Sequence, residues 1–165
     1  MVFSEVRVDG IVDVGLLVLS HCENPAKVEA INFIEKVLTK DIRAVIPVTA
    51  FIGAYHIMTR YLKIHPEAAA NELIETLSLR IRDVFYDAVS IDSAIEALFS
   101  AKEFKVEGWD GYLVSLAKTL GTDTIFTIDK RLTRVKGIKV VIPIPEDMLD
   151  KYHKWLEKVI KKQRR

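Results

Sequence analysis

Residues 108–132 read GWDGYLVSLAKTLGTDTIFTIDKRL, and the pattern of this stretch indicates three consecutive structural elements. Apolar side chains recur at intervals of three and four from Tyr112 to Leu120, which predicts an amphipathic helix. Gly121 is typical of a helix end. The β-branched and aromatic run at residues 124–128 then predicts a short buried strand. The stretch is therefore a helix, a tight turn and a strand.

Two carboxylates mark the ends of this unit. Asp110 stands at the start of the helix, where its charge complements the helix dipole, and Asp129 directly follows the strand. The turn brings the end of the strand back towards the start of the helix. Both side chains are expected in one crevice, where open α/β sheets bind ligands. Aspartate is also common as a helix cap and in turns, so each residue alone has an ordinary structural explanation.

The composition predicts an ordered, globular protein. The 165 residues are 50% hydrophobic and 28% charged, and we expect one domain over residues 1–165. The formal net charge of +1 gives no strong overall attraction to nucleic acid, so any basic surface must be local. The single cysteine, Cys22, excludes an intramolecular disulfide and suits a reducing compartment. Without a secretion signal or a membrane-length apolar run, we expect a cytoplasmic protein that does not enter a membrane.

Strands and helices alternate along the chain. Short apolar runs predict strands at residues 7–12, 43–48, 84–89, 124–128 and 138–142. Helical periodicity or start signals predict further helices after Asp13, from Pro25 with Asn24 as its cap, at residues 49–62, from Pro66, after Ser90 and at about 145–163. The alternation predicts a three-layer α/β/α sandwich with a mostly parallel central sheet. The apolar stripe of the last helix is expected to close the core, and binding of a partner is the alternative.

A third carboxylate completes the predicted site. Asp13 also ends an apolar strand, so it is expected at the same sheet edge as Asp129. Three acids in one crevice repel each other unless a cation or a proton compensates their charge. Mg²⁺ and Mn²⁺ prefer such oxygen ligands and can assist phosphodiester hydrolysis. Thr127, two residues before Asp129, is close enough to orient a carboxylate or a water.

With these residues in this order, the sequence resembles the PIN domain, the PilT N-terminus family of metal-dependent nucleases. The similarity covers about residues 8–142. It rests on VDVGLL at 12–17, where an Asp ends the first strand, and on DGYLVSLAK at 110–118, where an Asp opens a helix. The third match is TIDK at 127–130, where an Asp follows a later strand.

The resemblance implies a metal-dependent endoribonuclease. Asp13, Asp110 and Asp129 would bind Mg²⁺ or Mn²⁺, and one of them would also help to orient the attacking water. Beside this site the cations of the following loop, Lys130, Arg131 and Arg134, would contact RNA phosphates, although a solvated loop explains them equally well. Many PIN domains form homodimers and many are VapC-type toxins, so the resemblance also implies a second copy and an antitoxin protein as partners.

The sequence departs from the PIN pattern at one acid. The family has a Glu near the positions of Gly53 and Ala54, and neither residue is acidic here. His56 is close by, but we expect a step of two or three residues to place it on another helix face. Glu103 and Glu107 are the other candidate substitutes, although a glutamate in a loop is ordinarily solvated. With fewer carboxylates, metal binding is expected to be weaker.

Two other functions follow from the same residues. A PIN fold without its Glu describes a catalytically impaired module that binds RNA or a protein partner without cleavage. An acidic crevice also suits a phosphorylatable receiver-type domain. That class needs an acidic pair after the first strand, and Asp9 and Asp13 do not form one.

Overall fold

Five parallel strands form the centre of the molecule, which the computed structural model describes from residue 7 to residue 164. Residues 1–6 and 165 of the predicted domain lie outside the described residues. The strands are β1 (Gly10–Val12), β2 (Ala44–Pro47), β3 (Phe85–Tyr86), β4 (Thr124–Phe126) and β5 (Lys139–Val141), in the order β3-β2-β1-β4-β5. Every neighbouring pair is parallel. The predicted α/β class is confirmed, and each strand lies inside its predicted range but is shorter.

Seven α-helices within residues 7–164 flank the sheet. They are α1 (Val14–His21), α2 (Lys27–Leu38), α3 (Val48–Arg60), α4 (Pro66–Leu77), α5 (Ile91–Phe104), α6 (Gly108–Thr119) and α7 (Glu146–Gln163). Successive strand residues point to opposite faces, and they supply two separate cores. Val12 and Phe126 pack in a core with α1 to α4 and α7, while Ile11 and Ile125 pack with α5 and α6. This arrangement is the predicted three-layer sandwich.

Two predicted helix starts are confirmed and one is wrong. Pro66 is the first residue of α4, and the Ser90 side chain caps α5. Asn24-Pro25 does not start α2, which begins only after Ala26. Asn24 Oδ1 accepts a hydrogen bond from the Ala26 N–H at 2.9 Å, so its side chain closes a turn before the helix instead of capping it.

Helix α7 closes the first of the two cores. Leu149 and Tyr152 are buried in it, and the half-buried Met148, Trp155 and Leu156 pack against it, so this part of the apolar stripe belongs to the core. At 18 residues α7 is the longest helix described, yet no helix within residues 7–164 is both long and apolar enough to cross a bilayer.

The strand order reverses beside β1. β2 and β3 lie on one side of β1, while β4 and β5 lie on the other. At such a point the connections leave the sheet towards opposite faces, and a crevice opens at the carboxyl ends of the strands. The N–H of Asp13 donates to the carbonyl of Phe126 at 2.9 Å, so the ends of β1 and β4 meet there.

Candidate functional site

A cavity of about 790 Å³ lies at these carboxyl ends. Asp13, Asp110 and Asp129 all line it, so the fold brings the three predicted acids to one place. They come from the ends of β1 and β4 and from the first turn of α6. Their metal-binding role stays a prediction.

Asp13 is oriented by three hydrogen bonds. Its Oδ1 accepts from the N–H of Val14 at 2.7 Å and from the indole N–H of Trp109 at 2.9 Å. Its Oδ2 accepts from the hydroxyl of Thr127 at 2.7 Å. Thr127 is fully buried, and its oxygen also accepts from the N–H of Asp129 at 3.0 Å. One buried hydroxyl therefore links the two strand ends that carry the acids.

Trp109 is a site residue that the sequence analysis did not identify. It stands beside Asp110, lines the cavity and packs its ring against Tyr112, with 5.3 Å between ring centroids. A partly buried tryptophan N–H ordinarily finds an acceptor. The position of Trp109 next to Asp110 was therefore the only hint in the sequence that it belongs to the site. The acceptor of its N–H, Asp13, lies 96 residues away.

Asp110 is a buried carboxylate without a partner. Asp110 is only 7% exposed, and no residue among 7–164 donates a hydrogen bond to its side chain. Burial raises the pKa of Asp110 to about 6, and the negative charges of Asp13 and Asp129 add to the increase. Buried polar groups nearly always have a partner. The carboxylate oxygens of Asp110 are open to the cavity, where a cation, a proton or a water can serve as the partner.

We expect the contribution of Asp110 to the stability of the metal-free protein to fall as pH rises towards 6. The pKa of Asp110 is about 6 in the folded protein and 3.8 ordinarily, so the folded state binds more protons between these values. The contribution of Asp110 to the free energy of unfolding therefore falls as pH rises through this window, while buried His21, whose pKa is lowered, acts in the opposite direction. Asp110→Asn should remove this contribution to the pH dependence of stability and raise the melting temperature at neutral pH.

Thermal melts in EDTA on both sides of this window measure the effect. The matched control is Asp92→Asn, which removes an exposed acid from the first turn of α5. If Asp110→Asn is less stable than the wild type at every pH, Asp110 acts only as a carboxylate at a helix start.

Arg131 neutralises part of the acidic cavity. Its guanidinium contacts Asp129 Oδ2 through Nη2 at 2.6 Å and Glu107 Oε1 through Nη1 at 3.1 Å. Its backbone N–H donates to Asp129 Oδ1 at 2.9 Å. Desolvation acts to raise the pKa of Asp129, but the hydrogen bonds and charge of Arg131 outweigh it and the pKa is lowered. Asp129 therefore already has a cation beside it.

The three predicted phosphate contacts lie in a short 3₁₀ helix, Lys130–Arg134, that Asp129 caps. Lys130 and Arg131 line the cavity. Arg134 is not among the lining residues, and its guanidinium donates to the carbonyl of Lys105 at 3.4 Å. Of the three, Lys130 is the cation that lines the cavity without an ion pair to any described residue.

Helix α3 turns towards the cavity at the position where the PIN family has its Glu. Gly53 lines it, whereas Ala54 is fully buried in the core. His56 lines it too, so the expectation that His56 faces elsewhere is wrong. Residues three apart are neighbours on one helix face. Glu107 lines the cavity and pairs with Arg131, while Glu103 does not line it.

Helix α7 adds polar side chains that the sequence analysis missed. Glu146, Asp150 and His153 all line the cavity. Their spacing of four and three residues places them on one side of the helix. The helical periodicity that predicted the apolar stripe also predicts that these three polar residues share one side of the helix.

These residues fit a divalent cation that keeps part of its water shell. Asp110 offers a carboxylate without a partner in a cavity of ample volume. Within residues 7–164, no three His, Cys, Asp or Glu side chains are arranged to hold a metal by themselves. Mg²⁺ retains several waters and is commonly bound through one or two carboxylates, which agrees with both observations.

Comparison with known proteins supports the fold. No family model and no curated protein matches the sequence. Among solved structures, this chain is similar to a chain of a toxin–antitoxin complex from Klebsiella pneumoniae, with a TM-score of 0.54 and 17% identity. The match covers 82% of this chain and 98% of that chain. Fold and site together define a parallel α/β protein with an acidic cavity at its topological switch point.

Proposed function

We propose that this protein is a PIN-like endoribonuclease that hydrolyses RNA phosphodiesters with Mg²⁺ or Mn²⁺. The observation that supports this function best is the buried, unpartnered carboxylate of Asp110 in a cavity shared with Asp13 and Asp129. Nucleases that use metals must bring negatively charged phosphates to a cation held by acids. A toxin-type or RNA-processing role is the physiological setting that we propose.

Asp110 and Asp13 have different parts in this proposal. Asp110 would bind the cation directly because its oxygens have no competing donor among the described residues. Asp13 would position it, since Thr127 and Trp109 already orient its carboxylate. When bound, the metal would lower the pKa of a water and neutralise charge on the phosphate. Lys130 would contact a neighbouring phosphate of the RNA, a contact that is tolerant of sequence.

A protein partner belongs to the same proposal. The structural neighbour comes from a toxin–antitoxin complex, which supports an antitoxin as partner. Helix α5 exposes Ile91 at 80%, Leu98 at 65% and Phe99 at 61%, and exposed apolar patches of this kind are typical of protein interfaces. The PIN resemblance adds a homodimer, and the single cysteine, Cys22, suits a cytoplasmic location.

Cleavage of an end-labelled single-stranded RNA tests the proposed function. We expect products with Mn²⁺ or Mg²⁺ and none in excess EDTA, because the acidic cavity alone repels phosphates. Adding back Mn²⁺ should restore cleavage. Intact RNA under all metal conditions, with a folded protein, would contradict a nuclease.

Binding without cleavage is the second candidate function, and Arg131 is the observation that favours it. Its guanidinium supplies Asp129 with a counter-ion from the protein, and Gly53 leaves the position of the family Glu without an acid. RNA that binds in EDTA and stays intact with Mn²⁺ would support this second function.

We expect Gly53→Glu to strengthen Mn²⁺ binding about tenfold, because carboxylate number tunes affinity for such cations. Gly53 lines the cavity, and an added Cβ would lie 3.3 Å from Val14 Cγ2, a contact that a small shift relieves. Ala54→Glu should only destabilise the protein, since Ala54 is fully buried. Isothermal titration with Mn²⁺ measures both variants.

Gly53→Gln is the matched control, because it adds the same bulk without the charge. A folded Gly53→Glu variant that binds Mn²⁺ no better than Gly53→Gln would show that this helix position does not reach the cation.

A further inference from the structure

We propose that helix α7 completes the cation site, with Glu146 and Asp150 acting alongside Asp110 in place of the Glu that α3 lacks. This inference rests on the proposed metal-dependent function. It assigns residues outside the PIN-like stretch of the sequence to the site, since the resemblance ends near residue 142.

The core sets the orientation of these two side chains. Leu149 and Tyr152 are buried, so they anchor α7 in the core that it shares with α1 to α4, and both also line the cavity. Glu146 and Asp150 stand one turn apart on the flank beside them and line the same cavity. Their position therefore follows from packing of the helix and does not depend on a loop.

None of the lysines of α7 lines the cavity. Lys151, Lys154 and Lys158 are exposed, recur at intervals of three and four, and do not line the cavity. On an ordinary solvated helix, acids pair with lysines four residues away. Asp150 has Lys154 at this spacing, yet neither Asp150 nor Glu146 forms an ion pair or hydrogen bond within residues 7–164.

These two acids also repel each other, since like charges four residues apart destabilise a helix. The cavity as a whole has six carboxylates against the cations of Lys130 and Arg131. They belong to Asp13, Glu107, Asp110, Asp129, Glu146 and Asp150. A divalent cation relieves this excess.

The burial of Asp110 distinguishes this site from a cluster of acids on the protein surface. Asp110 is more than nine-tenths buried, it lines the cavity, and no described residue donates a hydrogen bond to its side chain. Because no three acids or histidines are arranged to hold an ion by themselves within residues 7–164, Glu146 and Asp150 act on a cation that keeps waters. Residues that hold a metal through such outer contacts commonly change its affinity by tenfold or more.

Isothermal titration with Mn²⁺ alone tests the inference, without any RNA or activity. Asp150→Asn and Glu146→Gln should each weaken Mn²⁺ binding about tenfold. The matched controls are Asp147→Asn and Glu157→Gln, which remove exposed acids of the same helix that do not line the cavity, and they should bind like the wild type. Circular dichroism checks the fold, and because Glu146 and Asp150 are exposed, their replacement leaves the core intact.

The outcomes separate this inference from the proposed function. If Asp110→Asn loses Mn²⁺ binding while Asp150→Asn and Glu146→Gln bind like the controls, the role of α7 is overturned and the metal-dependent function stands. Equal losses in Asp147→Asn would show a general charge effect and also overturn it. A wild-type protein that binds no Mn²⁺ would overturn both.

Discussion

Asp110→Asn is expected to reduce Mn²⁺-dependent cleavage of RNA by at least about 100-fold, the usual scale for losing one electrostatic group of a catalytic site. The substitution keeps the size of the side chain and removes its charge. Asp110 is the acid whose oxygens have no donor among residues 7–164, so no other described group replaces its contact with a cation. Single-turnover cleavage at saturating Mn²⁺ measures the loss.

The control for this loss is Asp92→Asn, another acid in the first turn of a helix, which is exposed and does not line the cavity. It should leave cleavage unchanged. Cleavage by Asp110→Asn within a few-fold of the wild type would contradict the assignment of Asp110 as a metal ligand. A stabilised variant without activity would separate a role in the site from a role in the fold.

Gly111→Ala is expected to destabilise the protein by about 3 kcal/mol, at the upper end of the cost of overpacking. A Cβ at this position would lie 2.4 Å from the carbonyl oxygen of Ala97 and 2.7 Å from the Cβ of Ala101. Both neighbours belong to α5, and a carbonyl oxygen cannot rotate away as a side chain can. Helices α5 and α6 would have to separate, which also displaces Asp110 from the cavity.

Urea denaturation measures this cost, with Gly108→Ala as the matched control in the same helix. A Cβ at Gly108 meets no atom within 4 Å, so that variant should be as stable as the wild type or slightly more stable. Equal denaturation midpoints for the two variants would contradict the close contact between α5 and α6.

Local patterns in the sequence were sufficient to predict the layers of the fold. Runs such as residues 124–128 predicted the strands because buried parallel strands are continuously apolar. Helix ends followed from short-range signals such as Ser90 and Gly121, and Gly121 has the positive φ of 67° that a helix stop requires. The predicted helix start at Asn24 was wrong because its side chain has both a donor and an acceptor. The donor bonds to the carbonyl of Leu19 and the acceptor to the N–H of Ala26, so the side chain holds a turn before the helix.

The sequence also determined which acids meet. Asp13 and Asp129 follow neighbouring strands of a parallel sheet, and Asp110 opens the helix that returns to the same edge, so topology alone places them together. The sequence did not show how the surroundings of the three acids differ. Asp13 is hydrogen-bonded, Asp129 is paired with Arg131 and Asp110 has no described partner.

Only the tertiary structure decided the rest of the cavity wall. The bond from Trp109 to Asp13 and the approach of Glu146 and Asp150 join residues that lie far apart in the chain. Periodicity shows which residues share a helix side, but it does not show what that side faces. Which side faces the cavity depends on how the buried residues of α7 pack in the core that it shares with α1 to α4, and that packing is a property of the whole core.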